Sequence, residues 1–295
     1  MFNVRLTWPV APLVAAAQFL LVTASARDAE VPDLSGLWGR QSLDWEPPAT
    51  GPGPVVNTKL RANGMRDSDT RVGDYNNPML TPFAAAEVKR HGDISLKGET
   101  FPNPANQCQP QASPFLLTQL EMELLQQKDE VVLLYMIDHQ VRHVRLNQKH
   151  PAHVVPSWSG DSVGHYEGDT LVVDTIGVKV GPFSMVDQYG TPYTGALHVV
   201  ERYRLIDGQS ARDAEQRNEK LSGSAMGRFA DFENNGKGLQ IQFTVEDPGS
   251  FKSPWSAVVT YLHGREWLEF ICAESPYDYV TGKNPQIPTA NKPDF

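Results

Sequence analysis

The chain has 295 residues, of which 40% are hydrophobic and 21% are charged, as in ordinary globular proteins. The formal net charge of −9 argues against the broad basic surface of a nucleic-acid-binding protein, so we expect no nucleic-acid partner. Gly and Pro number 23 each, which favours many short strands joined by loops over a helical bundle.

The first 26 residues have the pattern of a cleavable signal peptide. Arg5 supplies a positive charge, residues 8–22 are mostly apolar, and an Ala-Ser-Ala cleavage site ends at Ala26. A membrane anchor is the alternative, but Pro9 and Pro12 interrupt an apolar run that is already short. We therefore expect a periplasmic or secreted protein, cleaved after Ala26, with no transmembrane segment once the signal is removed.

Cys108 and Cys272 are the only cysteines in the sequence. An even pair in an exported protein indicates a disulfide, and two buried free thiols are the alternative. The pair lacks Cys-x-x-Cys spacing, so it predicts neither a redox motif nor a structural zinc site.

Residues 27–113 are predicted to wrap the domain with mostly irregular chain. Residues 34–38 look like a first strand, whereas residues 46–78 are dense in Pro, Gly, Asn and Asp and indicate a long ordered excursion. One helix is predicted over residues 82–91, with Thr81 as its N-cap, a proline in its first turn and a glycine directly after it.

Residues 114–274 are predicted to form a strand meander, and residues 275–295 a C-terminal tail. The predicted strands are apolar or alternating runs separated by turn residues, and they cover residues 115–123, 130–137, 141–146, 162–166, 170–176, 197–206, 239–245, 255–262 and 266–273. Residues 212–220 could add a short polar helix. Two architectures remain, a sandwich and a closed barrel, and sequential hairpins favour the barrel because closure removes exposed edges.

The fold class is therefore mainly β, an antiparallel barrel of about 8–10 strands with one short N-terminal helix and long loops. A single barrel domain is expected to span residues 27–295. The interior of a barrel of this size has room for side chains and one small ligand.

The predicted hairpin over residues 162–176 carries the most specific motif in the chain. Gly168 supplies the positive φ of its turn, and the stretch from Tyr166 to Thr175 reads Tyr-Glu-Gly-Asp-Thr-Leu-Val-Val-Asp-Thr. This resembles a Trp-Glu-Gly-Asp-Thr-Leu-Val-Val-Asp-Thr signature that recurs in a largely uncharacterised family of exported bacterial proteins, with Tyr166 in place of Trp.

This resemblance also takes in residues 158–162, 200–203 and 246–248, so it extends over most of the mature chain. The Gly-x-Trp at residues 36–38 also resembles the opening strand of lipocalin-type (calycin) barrels. The resemblance implies an exported, lipocalin-like β-barrel, and it does not supply a mechanism.

Polar side chains recur in strands that should be largely apolar, which points to a small-molecule site inside the barrel. In the leading hypothesis, Arg142 or Arg202 clamps a carboxylate, and His165 or Glu201 moves a proton. The expected substrate-binding residues are Tyr135, His150, Trp158 and Tyr203.

The reaction would be cofactor-free acid–base chemistry of the lyase or decarboxylase type on a small aromatic or apolar organic acid or phenol. The basis is an analogy with phenolic acid decarboxylases, which use a similar barrel containing Tyr, Arg and Glu.

Each candidate also has a structural interpretation. Arg142 and Arg202 could pair with Glu201 or Asp174 in a buried network that sets strand register, and His165 could be an exposed histidine. The alternative functions are a small-molecule-binding protein without turnover and an envelope protein whose barrel is filled by its own side chains.

A metal site is a further alternative for the histidines of the meander. No pair has the spacing of two ligands on one helix face, so we predict neither a metal nor an organic cofactor. The four that could in principle converge on zinc or iron are His143, His150, His165 and His198. The sequence leaves the oligomeric state open.

Overall fold

The computed structural model describes residues 31–222, 229–268 and 270–272. Its strands are β1 (Gly36–Gly39), β2 (Glu121–Gln126), β3 (Glu130–Tyr135), β4 (Val141–Leu146), β5 (Asp161–Glu167), β6 (Thr170–Ile176), β7 (His198–Ile206), β8 (Gly238–Glu246) and β9 (Trp255–His263). They form one closed barrel in which consecutive strands pair and β9 returns to β1. The predicted mainly β barrel with long loops is confirmed.

One pair of neighbouring strands departs from the predicted antiparallel order. β4 and β5 run parallel, with Val144 beside Ser162. Parallel neighbours cannot be joined by a tight turn, so residues 147–160 carry the chain from one end of the barrel to the other. His150 and Trp158 lie on this crossover.

The β5–β6 hairpin has the predicted form. Glu167 pairs with Thr170, and Gly168 between them has a φ of +62°, which favours glycine. The returning strand is rich in β-branched residues, which suit a pleated strand, and its first four residues are all buried.

Two helices accompany the barrel in the described residues, α1 (Pro82–Ser95) and α2 (Gly208–Ser222). The Thr81 hydroxyl accepts a hydrogen bond from the Ala84 amide at 3.3 Å, as expected of an N-cap. α1 continues past its predicted end at residue 91. Gly92 lies within the helix against Val72, where a side chain would be crowded, so this glycine allows close packing and does not end the helix. No helix in the described part of the chain has the length and apolar character to cross a membrane.

Two predicted strands differ in the structure. Residues 115–118 form a 3-10 helix (Phe115–Thr118), and the strand begins only at Glu121. All four residues of that helix are buried, and a short, continuously buried apolar run does not distinguish strand from helix by its periodicity. Within the described part of residues 266–273, Phe270 forms a single bridge with Ile137 in place of the predicted strand.

The barrel interior is filled by side chains from alternate positions of its strands. On β7, for example, Val199, Glu201 and Tyr203 are fully buried, and the residues between them are more exposed. The largest fully buried side chains include Trp38, Trp255, Arg142, Tyr135, Tyr203, Tyr261 and Phe243. This packing forms the main hydrophobic core.

Cys108 and Cys272 are joined in a disulfide with a Cα–Cα distance of 5.2 Å across a sequence separation of 164. The predicted pairing is therefore present. It ties the long β1–β2 connection to the chain that follows β9. The predicted signal peptide (1–26) and C-terminal tail (275–295) lie outside the described residues.

Candidate functional site

A cavity of about 590 Å³ lies beside the end of the barrel where β1 stops, β2 begins and β3 stops. That volume is within the range of small-molecule sites. Much of its wall is apolar and comes from segments far apart in the chain, including Leu43, Leu120, Met136, Ile137, Phe229 and Phe270. The cavity can hold an organic molecule against an apolar surface.

The polar side of the cavity is organised around the Asp44 carboxylate. Oδ1 accepts hydrogen bonds from the Gln188 amide at 2.7 Å and the Tyr189 hydroxyl at 2.8 Å. Oδ2 accepts from Arg66 Nη1 at 3.0 Å and from the Ser222 hydroxyl. Asp44 thus connects the residues after β1 with the long loop over residues 46–78, the β6–β7 connection and the end of α2.

These bonds also decide the charge of Asp44. Burial opposes ionisation, but the Ser222 hydrogen bond and the positive charge of Arg66 outweigh it and lower the pKa of Asp44. The carboxylate is therefore ionised at neutral pH, with four donors already bound to it. Its function in the cavity wall is to hold neighbouring side chains in position.

Arg71 is a second, half-buried arginine in the cavity wall. Its amide donates to the Ser95 hydroxyl at 2.9 Å, and its Nε donates to the Ser68 carbonyl at 3.3 Å. Among the described residues, no carboxylate lies within ion-pair distance of its guanidinium, in contrast to Arg66.

Four of the sequence-predicted residues meet inside the barrel. Arg142 and Glu201 form an ion pair, with Nη1 to Oε1 at 3.1 Å and Nη2 to Oε2 at 2.5 Å. Tyr135 and Tyr203 are also fully buried in the interior, and desolvation raises the pKa of both phenols, so they are neutral.

Hydroxyl groups complete this interior cluster. Arg142 Nε donates to the Ser162 hydroxyl at 3.0 Å, and Nη2 donates to the Thr175 hydroxyl at 2.6 Å. The Ser113 hydroxyl donates to Glu201 Oε1 at 3.1 Å. The cluster links β4, β5, β6 and β7. It agrees with the structural interpretation of Arg142, in which this residue pairs with Glu201 in a buried network that sets strand register.

The other two predicted catalytic residues lie on the outer wall of the barrel. His165 Nε2 is 3.1 Å from Glu167 Oε1, and Arg202 Nη2 donates to Glu167 Oε2 at 2.6 Å. The Arg202 hydrogen bond lowers the pKa of Glu167. Because side chains alternate along a strand, Arg202 faces outward and its neighbour Glu201 faces inward. The structure therefore does not bring His165 and Arg202 together with Arg142 and Glu201.

His150 lies in an outer polar network along β5, β6 and β7. Its Nδ1 is 2.6 Å from Asp161 Oδ1, and its Nε2 is 3.0 Å from Asp174 Oδ1. His198 Nε2 also approaches Asp174 Oδ1, at 3.1 Å, and this hydrogen bond lowers the pKa of Asp174. The network gives Asp174 its partners on the strand, and no group of three or more ligands in the described residues could hold a metal ion.

Trp158 packs on the outside of the crossover. The Lys179 ammonium lies 5.0 Å from its ring centroid, and Gly181 fits against the ring where a side chain would be crowded. Trp158 is therefore placed with the loops that cover β5 and β6, and it contributes neither to the cavity wall nor to the interior cluster.

The cavity residues were not among the sequence-predicted site residues. Asp44, Arg66 and Arg71 lie in chain without strand or helix periodicity. The one available signal was the density of Asn, Asp, Ser and Gly in residues 46–78, which is typical of an ordered loop, and loops often carry binding residues.

Comparison of the chain with known protein families, with curated protein sequences and with solved structures found no match.

Proposed function

We propose that this protein binds a small, largely apolar organic molecule in the cavity beside the barrel end. The observation that carries the proposal is the cavity itself, about 590 Å³ in volume and lined by Leu43, Met136 and Phe270 among other apolar residues. Transfer of an apolar ligand from water to such a surface is favourable by roughly 25 cal/mol per Å² of apolar area buried.

The loop of the polar wall is held by its own hydrogen bonds. Asn57 donates from its side-chain amide to the Asp67 carbonyl at 2.7 Å and accepts from the Val72 amide at 3.1 Å. These bonds close the loop that carries Arg66 and Arg71. Because the loop is already held, ligand binding does not have to supply the entropy of ordering it.

A cavity-filling substitution tests the proposal. Leu43→Trp adds bulk at a half-buried position of the cavity wall, and Val155→Trp adds the same bulk at a position that is 85% exposed and remote from it. We expect native mass spectrometry to detect a retained or added apolar ligand on the wild type and on Val155→Trp, and much less on Leu43→Trp. Equal occupancy of all three proteins would contradict a binding site in this cavity.

A lyase of the decarboxylase type is a second candidate, favoured by the convergence of Arg142, Glu201, Tyr135 and Tyr203 in the barrel. In this hypothesis the reaction needs no organic cofactor, and a substrate carboxylate replaces Glu201 on Arg142 after side chains of the filled interior have moved aside. Glu201 would then be the proton-transfer group, because His165 lies on the outer wall.

Incubation with aromatic acids and phenols, followed by mass spectrometry of the products, tests the lyase hypothesis. Product formation by the wild type and by His165→Ala, with loss in a Glu201→Gln variant that circular dichroism shows to be folded, would support this arrangement. Unchanged turnover in Glu201→Gln would contradict it. Retention of an intact ligand without any product would favour the binding protein.

We further propose that the protein is exported. The Cys108–Cys272 disulfide supports export, since such bonds persist in oxidising compartments. Membership of the exported family with the hairpin motif stays a prediction. Cell fractionation with N-terminal sequencing should find a periplasmic or secreted chain beginning at Arg27, and an uncleaved cytoplasmic chain would contradict this.

A further inference from the structure

We infer that the ligand of this cavity carries one carboxylate on an apolar body, and that the guanidinium of Arg71 binds that carboxylate. This inference rests on the proposed binding function. It goes further by assigning the chemical class of the ligand and the residue that selects it.

The charges around the cavity single out Arg71. Arg66 is neutralised by Asp44 at 3.0 Å, and Asp69, also in the cavity wall, accepts a hydrogen bond from Arg61 at 3.0 Å. Within the described part of the chain, Arg71 is left as the charged side chain of the wall that has no oppositely charged partner. Among the described residues, the cavity wall therefore has one uncompensated positive charge.

The position of Arg71 suits it to receive an anion. Its backbone amide donates to Ser95 at the end of α1, and its Nε donates to the Ser68 carbonyl, so protein groups orient the side chain. The two terminal nitrogens make no hydrogen bond to the described residues. A guanidinium presents such paired donors in a fork that matches the two oxygens of a carboxylate.

The apolar walls strengthen this pairing. A charge beside apolar surface loses part of its hydration, which is unfavourable unless an opposite charge replaces the lost water. A ligand with an apolar body and one carboxylate meets both requirements, since its body covers the walls formed by Leu120, Met136 and Phe270 while its oxygens reach Arg71. A neutral ligand would leave the guanidinium without a charged partner.

Two probes of equal length separate charge recognition from apolar binding. Titration calorimetry with decanoate and with 1-decanol is carried out on the wild type, Arg71→Gln, Arg71→Lys, Leu43→Trp and the control Arg90→Gln. Arg90 is exposed on α1 and paired with Glu87. Circular dichroism verifies that each variant is folded.

We expect Arg71→Gln to bind decanoate about 10- to 100-fold more weakly than the wild type, with little change for 1-decanol. Arg71→Lys keeps the positive charge but lacks the paired donors of a guanidinium, so its affinity for decanoate should lie between those of the wild type and Arg71→Gln. Arg90→Gln should match the wild type with both probes.

The failures of this inference and of the proposed function are distinguishable. Equal decanoate affinity in the wild type and Arg71→Gln would overturn the assignment of Arg71, while loss of both probes in Leu43→Trp would still support the cavity. If the wild type binds neither probe, the proposed function and this inference are both overturned.

Discussion

Arg142 on β4 and Glu201 on β7 form a two-point ion pair inside the barrel, although 59 residues separate them in the sequence. Side-chain exposure is 1% for Arg142 and 0% for Glu201. The pair therefore connects two strands that are not neighbours in the sheet, and hydroxyls on β5 and β6, at Ser162 and Thr175, complete its hydrogen bonds.

Removing one partner of this pair should be costly. Arg142→Met leaves Glu201 as an uncompensated buried charge, and Glu201→Gln does the same to Arg142, so each should lower the free energy of unfolding by about 3–5 kcal/mol. The double variant removes both charges and should recover part of that loss. Urea unfolding of the four proteins measures this, and single variants within about 1 kcal/mol of the wild type would contradict it.

Glu121 on β2 should make stability fall as pH rises. Its side chain is fully buried, and burial raises its pKa from 4.5 to about 7, with the charge of Glu266 adding to the effect. Between those two pH values the unfolded chain has released its proton while the folded chain still holds it, so ionisation favours unfolding.

The variant Glu121→Gln removes this titration. It should exceed the wild type in free energy of unfolding by about 3 kcal/mol near pH 8 and match it near pH 4, as measured by urea unfolding at each pH. Glu123→Gln, two residues along the same face of β2, is the matched control. A stability difference that does not vary with pH would show that the Glu121 carboxyl does not titrate in this window.

His91 on α1 should act in the opposite direction, through loss of stability in acid. Burial, and then the charge of Arg90, lowers its pKa from 6.5 to about 4, and its Nδ1 lies 3.2 Å from the Gly190 carbonyl. As pH falls below about 6.5, the histidine of the unfolded chain binds a proton and that of the folded chain does not, so the free energy of unfolding decreases.

The loss attributable to His91 should reach about 2 kcal/mol at pH 5. His91→Gln should therefore show a smaller drop in unfolding free energy between pH 7.5 and pH 5 than the wild type does. His143→Gln, on the exposed face of β4, should keep the full drop. Identical pH profiles for His91→Gln and the wild type would contradict the assignment.

The disulfide should stabilise the fold chiefly by restricting the unfolded chain. Because Cys108 and Cys272 are 164 residues apart, the double variant Cys108→Ser/Cys272→Ser should unfold with a free energy lower by about 3–5 kcal/mol. Reduction of the wild type should lower its denaturation midpoint equally, and reductant should not affect the double variant. A midpoint that is unchanged on reduction would contradict a stabilising bond.

The positions of the strands could be predicted from the local sequence, but the pairing of the strands could be predicted only in part. The alternation of residues 239–245 and the Gly168 turn predicted β8 and the β5–β6 hairpin, because both signals arise within a few residues. The parallel β4–β5 pair was not predicted, since the direction of residues 147–160 depends on how the whole sheet closes.

The same division applies to the candidate sites. Period-two alternation on β4 separates Arg142 from His143 and Arg145, and on β7 it separates Glu201 from Arg202. Which of the two faces points inward is a property of the closed barrel. The sequence therefore identified Arg142 and Glu201 as candidates together with His165 and Arg202, which face outward.

By itself, the sequence determined a β-rich chain with tight hairpins, an N-capped helix and a pair of cysteines, because each depends on neighbouring residues or on composition. The tertiary structure alone decided the cavity. Asp44 binds Arg66, 22 residues away, and Ser222, 178 residues away, through contacts that exist only after the barrel has closed and the long β1–β2 connection has folded against it. Such contacts join segments that have no periodic pattern of their own, so only folding shows that Arg71 lies on the same cavity as Met136 and Phe270.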